Sequence, residues 1–515
     1  MLLLAASILN SGQPTRAALA AELSRPGAPA EVAAFYRARG GAPLWTQASG
    51  LWPFWTRASL RPEAAQFASM IADALPVEIS DSAAKRALLA IGVASSGRPQ
   101  DLVKAEVALS VALGEYARAP PGGQDATALE FVDPAFDAPA NVREVLQQAA
   151  EAPSLARSLD AWRRRNPIYS ALRSDLAAYR HAWSGLPQFE VPLGSPLQVG
   201  AAGERVRHLH QRLSVTPDAK MESIFTARTK AAVMRFQSAH GLQATGRADT
   251  PTLMALNAGA AHYEQLIMAN LKRARLLPPV ADGRFILVNP AAGQLWLYES
   301  AQPTKSMRVV VGTRETPTPM MAGQIHYVVF NPYWEVPADL TRSSIAPKVL
   351  QNGLAVFRAE RLQAMSDWSD TAVPIDPAAV DWEAVADGRL DLRVRQQPGD
   401  DNMMGAVKFM SPNELGIYLH DTPNKAAFKN PQRLLSAGCV RLEGADDLVT
   451  WLFGRRMTDA TSLGVDNRID LDTPMPVYIT YLTAAPGAEG VTFHPDVYGR
   501  DPAALAALEL AGPRA

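Results

Sequence analysis

The sequence predicts a multidomain α+β chain, and three observations carry that prediction. Helical periodicity rich in Ala, Leu and Arg runs from about Gly27 to Leu186. A compact set of helix starts and stops follows between Leu197 and Gly259. From Arg284 onward the pattern changes to apolar–polar alternation of period two, the mark of strands. The expected architecture is an all-α scaffold, a three-helix unit and a mainly-β final domain carrying an insertion.

Size and composition agree. A chain of 515 residues exceeds what one hydrophobic core covers, so about three domains are expected. Hydrophobic content of 48% with 20% charged residues fits a globular protein. A net charge of −1 without a Lys/Arg block gives no electrostatic case for nucleic acid as a partner. No apolar run approaches the ~20 residues of a membrane span. Met1–Leu9 is almost wholly apolar and is followed by the small-residue triplet Ala18-Leu19-Ala20. Residues 1–25 are therefore expected to direct export, as a cleaved leader or a retained anchor, although a basic start is missing.

Residues 26–196 are expected to form the α scaffold. Glu31–Arg39 is amphipathic and Gly40-Gly41-Ala42-Pro43 breaks it. Leu44, Trp45, Leu51, Trp52, Phe54 and Trp55 read as core. Helical spacing resumes over Ala83–Ser95, Asp101–Ala117, Val142–Ala150, Leu155–Arg164 and Ile168–Trp183, with no candidate chemistry. In residues 197–259, Glu204–Leu213 presents Val206, Leu209 and Leu213 on one face. Phe225–His240 ends at Gly241, and Thr250-Pro251 starts a third helix. His208 and His210, two apart on one helix, point to different faces and make no zinc pair. Residues 260–281 form a connecting helix that either leads onward or rejoins the scaffold.

Residues 282–483 carry the strand texture. Phe285–Asn289 and Gln294–Tyr298 read as a hairpin, followed by strands at Met307–Val311 and Gln324–Phe330. Residues 338–392 interrupt it with helical pieces and are expected to form a lid. Strands return at Leu392–Gln396, Val407–Met410 and Gly416–His420. Asp446–Phe453 reads as a helix, Val477–Leu482 as the last strand, and 484–515 as a tail.

The candidate chemistry lies between His420 and Arg441. Cys439 is the single cysteine, which excludes an internal disulfide, and His420 stands nineteen positions before it. In an exported protein a free thiol is an oxidation liability that makes most sense if it is used. A thiol and an imidazole on adjoining elements are the minimum for cysteine nucleophilic catalysis. None of the eight histidines falls in an H-x-x-x-H or comparable spacing, so no metal is expected.

His420, then Ser436-Ala437-Gly438-Cys439-Val440-Arg441, resembles the L,D-transpeptidase signature of a His, about eighteen residues and Ser/Thr-x-Gly-Cys-x-Asn/Arg. The strings Ile417–Pro423, Val311-Gly312-Thr313, Asn331-Pro332-Tyr333-Trp334 and Gln397-Pro398-Gly399 resemble its large, scaffold-bearing branch. Val233-x-x-Phe236-Gln237-x-x-His240-Gly241-Leu242, with Gly246, Thr252, Leu256 and Asn257, resembles the three-helix peptidoglycan-binding domain. One departure is Ala437, where many relatives carry His or Ser.

The resemblance implies a periplasmic enzyme that needs no cofactor and acts on peptidoglycan tetrapeptide stems, with a penicillin-binding protein or glycosyltransferase as a further partner. Cys439 would attack the bond between residues 3 and 4, release D-alanine and pass the thioester to an amine. Water in place of the amine would give carboxypeptidase behaviour. His420 would be the base. The N–H groups of Gly438 and Cys439 would form the oxyanion hole, and the main-chain carbonyl of Asp421 would orient the imidazole. Ser436 would be a hydrogen-bonding neighbour. Arg441, Tyr418 and Trp334 would line the substrate groove. Arg441 and a helix starting just after Cys439 would favour the thiolate.

Overall fold

The computed structural model describes residues 13–49, 57–117, 129–134, 136, 141–277, 283–456 and 464–509. Residues 1–12 of the expected export segment lie outside these residues, as do Leu51, Trp52, Phe54 and Trp55, while Gln13–Leu23 is a helix whose Leu19 joins the scaffold core. The chain forms two compact units, one of residues 1–127, 137–281 and 482–515 and the other of 128–136 and 282–481.

The first unit is mainly helical. Helices at Ala30–Ala38, Pro62–Ala72, Asp81–Ala94, Pro99–Ala117, Val142–Glu151 and Leu155–Arg164 share a core that includes Tyr36, Trp45, Phe67, Leu109, Tyr116 and Leu146. Burying such side chains contributes roughly 1.5–3 kcal/mol each relative to leaving them exposed. Trp45 stacks on Phe67, with ring centroids 5.3 Å apart. The Trp45 N–H and the Tyr36 hydroxyl donate to buried Glu106 at 2.9 and 2.7 Å. The expectation of an all-α scaffold needs correction. Thr46–Ser49 and Arg57–Leu60 form an antiparallel hairpin. Glu130–Phe131 is a strand that belongs to the second unit. Strands of two to four residues are too short for a period to show.

Within the same unit, Glu204–Arg212 and Ala227–Ala239 are tied to the helix that begins at Thr250, Arg212 donating to the Leu256 carbonyl and Gln237 to Thr252 Oγ1. Asp249, one residue before the expected cap, accepts from the Thr252 N–H at 3.1 Å. That helix kinks at Gly259, whose φ of 81° is a left-handed conformation suited to glycine, and continues to Ala274. It then packs on Pro167–Tyr179. Asn166 donates to the carbonyls of Ala274 and Leu277 at 2.8 and 3.1 Å. Buried His210 bonds Thr229 Oγ1 at 2.7 Å and the Glu222 carbonyl at 2.9 Å.

The C-terminal segment, expected to be a tail, is structured. Ala484–Gly487 and Gly490–Phe493 form a hairpin and Asp501–Glu509 a helix. The Phe493 ring meets Tyr263 at 4.8 Å and Tyr179 at 5.9 Å. A buried ion pair, Arg273–Asp501 at 2.7 Å, ties that helix to the kinked one. One apolar ring and one paired charge anchor a segment whose Ala/Pro-rich composition gives no sign of it.

The second unit is a mainly-β domain. Neighbouring strands run Val407–Met410, Leu419–His420, Val440–Leu442, Gln302–Gly312, Gln294–Glu299, Phe285–Asn289, Asn467–Ile479 and Met321–Phe330. Met321–Phe330 also pairs with Val407–Met410, so the sheet closes on itself. Its core includes Ile286, Leu297, Val309, Val328, Phe409, Leu419 and Val440. Residues 338–392 have a core of their own with Val336, Ile345, Phe357, Trp382 and Val394. They hold a separate four-stranded sheet in the order 374–375, 362–365, 394–396, 334–336. Thus 394–396, expected to return to the main sheet, stays with the insertion. No helix among the described residues is long and apolar enough to cross a membrane.

Candidate active site

Strand register builds the site. Leu419–His420 pairs in parallel with Val440–Leu442, Leu419 opposite Val440 and His420 opposite Arg441. Side chains alternate along a strand, so Ile417, Leu419, Val440 and Leu442 enter the core. Tyr418, His420, Cys439 and Arg441 consequently share the opposite face. Two short runs of β-branched and aliphatic residues thus place a phenol, an imidazole, a thiol and a guanidinium together.

The His420 Nδ1–H donates to the main-chain carbonyl of Asp421 at 2.5 Å. That bond leaves Nε2 as the basic nitrogen, which has no side-chain partner among the described residues, while the Met404 main chain also faces the ring. The Asp421 carboxylate is occupied elsewhere. It accepts from the Ala406 N–H at 2.9 Å and from Lys425 Nζ at 2.5 Å. Burial, and secondarily the Arg441 charge, lower the His420 pKa to about 4, so the ring is neutral at physiological pH.

Cys439 is half-buried. Its Sγ lies 3.6 Å from the Gly416 carbonyl. Burial raises its pKa, against weaker pulls downward from the Tyr418 main chain and Arg441. The expectation of a thiolate favoured by Arg441 and a nearby helix is therefore corrected. Desolvation outweighs the cation, and the residues after Cys439 form strand Val440–Leu442, the helix starting only at Ala445. The resting site is a neutral thiol beside a neutral imidazole.

The loop before Cys439 is held from two sides. Ser436 Oγ donates to the Cys439 carbonyl at 2.6 Å and accepts from the Gly438 N–H at 3.2 Å. The Gly438 N–H, expected in an oxyanion hole, is thus turned to Ser436. The Cys439 N–H makes no hydrogen bond among the described residues and is the available donor. Gly438 has φ +116°, and a Cβ there would stand 2.8 Å from Ile417 Cδ1, so only glycine fits. Thr318, which sequence reasoning missed, is fully buried and donates from Oγ1 to the Gly438 carbonyl at 2.7 Å. The only sequence signal for it was its position five residues beyond Thr313.

Arg441 is half-buried and makes no ion pair among the described residues, and its Nε is buried without a partner. An unpaired guanidinium beside the thiol suits an anionic ligand. The Tyr418 ring is 6.0 Å from that of His420, and burial raises its pKa, with smaller contributions from Cys439 and Glu335. Trp334 lies on the insertion's sheet, where with Val336, Leu340, Ile345, Lys348, Glu360 and Met403 it lines a cavity of about 400 Å³. No metal-holding group of three or more His, Cys, Asp or Glu occurs among the described residues.

A thiol, an imidazole and a main-chain N–H donor on one face are the groups that acyl transfer through a cysteine would require. Residues 283–479 match the L,D-transpeptidase catalytic domain, 30–176 the scaffold domain, and 202–256 the "Putative peptidoglycan binding domain". The chain thus carries an L,D-transpeptidase catalytic domain together with a scaffold domain and a peptidoglycan-binding domain. A Haemophilus influenzae protein described as "Putative L,D-transpeptidase" is 33% identical over 244 residues, which are 46% of this chain and 48% of that one. The chain therefore spans about half the length of the curated relative it matches. Among solved structures, the L,D-transpeptidase of Xylanimonas cellulosilytica aligns at 15% identity over 57% of this chain and 98% of that one, with a TM-score of 0.17. A mutant of the Enterococcus faecium enzyme aligns at 11% over 59% and 99%, with a TM-score of 0.19.

Proposed function

We propose that this protein is a peptidoglycan L,D-transpeptidase of the cell envelope, exported to the periplasm, with Cys439 as nucleophile and His420 as general base. The observation that carries the reading is the common strand face of Tyr418, His420, Cys439 and Arg441. Because thiol and imidazole start neutral, the proton leaves Sγ for Nε2 as sulfur attacks the carbonyl carbon of stem residue 3. The Cys439 N–H stabilises the developing oxyanion. The imidazolium then protonates the departing amine, D-alanine leaves, and a thioester remains. The amine of a second stem attacks the thioester, forming an amide and restoring the thiol, which gives a 3→3 cross-link. Arg441 holds a substrate carboxylate, and the insertion covers the groove as a lid. The peptidoglycan-binding domain brings the polymer to the site, a role in keeping with wall remodelling and cell shape.

Intact-mass spectrometry after exposure to a tetrapeptide stem or a carbapenem tests the nucleophile. An acyl adduct on wild type and none on Cys439→Ala is expected; equal adducts on both would overturn the reading. Muropeptide products formed with and without an added amine acceptor distinguish transfer from hydrolysis.

A further inference from the structure

Two sequence strings that resemble the scaffold-bearing branch have no part in the chemistry above, namely Asn331–Trp334 and Gln397-Pro398-Gly399. They are the entry to and exit from the insertion, and they converge on one buried side chain. Asn402 is fully buried. Its Nδ2 donates to the carbonyls of Pro332 at 3.2 Å, Gln396 at 3.3 Å and Gln397 at 3.0 Å. Its Oδ1 accepts from the Met404 N–H at 2.7 Å. Its own main chain closes a turn, accepting from the Gly405 N–H at 2.8 Å and donating to the Gly399 carbonyl at 3.0 Å.

The segment that Asn402 organises covers His420. Although His420 lies on the outer face of its strand, only 2% of it is exposed. The Met404 carbonyl faces the ring and favours its protonated form. Gly405 has φ +63°, and a Cβ there would collide with the Asp421 carboxylate. The Ala406 N–H bonds that carboxylate, and the Ala406 carbonyl accepts from the Asn331 N–H at 2.9 Å. Each link runs from the neck of the insertion, through the turn at 402–406, to the imidazole or the residue whose carbonyl orients it.

We propose that Asn402 is a positioning residue. It fastens both necks of the insertion to the turn that covers His420, and so fixes the imidazole that serves Cys439. One amide is suited to this because it offers two donors to carbonyls that have left their sheet and one acceptor to the turn. Left unmade in a buried place, those bonds would let the necks and the turn part. The inference rests on Cys439 and His420 working as a pair, but on no particular substrate.

The test is alkylation of Cys439 by iodoacetamide in the full-length protein, followed from neutral to strongly alkaline pH. The groups facing His420 are Arg441 and Lys408, its register partners on the two neighbouring strands, Tyr418 on its own, Cys439, and Asp421 with Lys425 on it; Glu335 stands behind Tyr418. At neutral pH the thiol needs the imidazole, and Asn402→Ala is expected to react about 10–100-fold more slowly than wild type, the range usual for lost outer-layer support. Well above the pKa of the thiol the base is not needed, and the variant is expected to match wild type. His420→Ala should show the same pH-restored defect. Should Asn402→Ala not fold, Asn402→Asp, which keeps the acceptor for Met404 and loses the donors, takes its place. Wild-type reactivity at neutral pH would overturn the proposal, as would a defect of equal size at every pH. Because the reagent is not a peptidoglycan mimic, failure of the substrate reading would leave this result unchanged.

Discussion

His420 and His240 are both buried, both send Nδ1 to a main-chain carbonyl, and both have pKa values brought to about 4 by burial. Their difference lies at the other nitrogen. His240 Nε2 bonds the Tyr179 hydroxyl at 3.0 Å, and the ring stacks on Phe236 at 4.0 Å among Trp183, Tyr263 and Phe493. His420 Nε2 lacks a side-chain partner among the described residues, and the ring shares its face with Cys439 and Arg441. A low pKa and deep burial therefore do not distinguish a working histidine from a packing one. The face shared with a thiol and a guanidinium does.

The largest expected effect follows directly. His420→Ala should slow carbapenem acylation of Cys439 at neutral pH by roughly 10²–10⁴-fold, the usual yield of general-base assistance. His240→Ala should leave the acylation rate within about twofold while costing on the order of 3 kcal/mol of stability in denaturant unfolding, as large-to-small core changes do. A slow, stable His240→Ala variant would break the comparison.

Next comes Arg441. Arg441→Met should raise KM for carboxylate-bearing stems by about tenfold or more, since hydrogen bonds to charged groups contribute ~1.5–3 kcal/mol. Steady-state kinetics against a stem amidated at that carboxylate should show little further loss.

Acid should affect both histidines in the same direction. Each has a folded pKa near 4, below the unfolded value of ~6.5, so the unfolded state takes up protons first as pH falls. Each therefore contributes stability that is full above about pH 6.5 and is lost as pH drops toward 4. Denaturant midpoints should fall across that window, and the His240→Phe and His420→Phe variants should each flatten the fall. Smallest is Ser436→Ala. It should slow acylation severalfold through loosening of the loop, with a stability loss of about 1 kcal/mol.

The same contrast shows how far the sequence can be read. The Gly-Cys-x-Arg setting and the preceding His-Asp-Thr-Pro were visible, because they are contiguous or nearly so. That Tyr418 and Arg441 would share a face with both was not, since it depends on a parallel register between two short strands. Thr318 and Asn402 could not be found at all. Each acts through side-chain bonds to main-chain atoms that only the fold brings together, and no periodicity marks such a residue. The protonation state was misjudged for a related reason, as charge can be counted from letters and desolvation cannot. In the other unit, Gly241 and the Thr250-Pro251 helix start were legible from local rules, the latter to within one residue of its Asp249 cap. Phe493 was not, because its partners come from three separate stretches.

The strand Glu130–Phe131 carries a consequence for handling this protein. It pairs in parallel with Met321–Ala322, and Asp133 just beyond it bonds His326 at 2.6 Å. Both come from a stretch some 150 residues upstream of the rest of that sheet, so a gene fragment cut at 283–479 would encode an unfinished β domain. Its bare edge would offer open N–H and C=O groups to any passing strand, and self-association of the fragment would be the expected outcome.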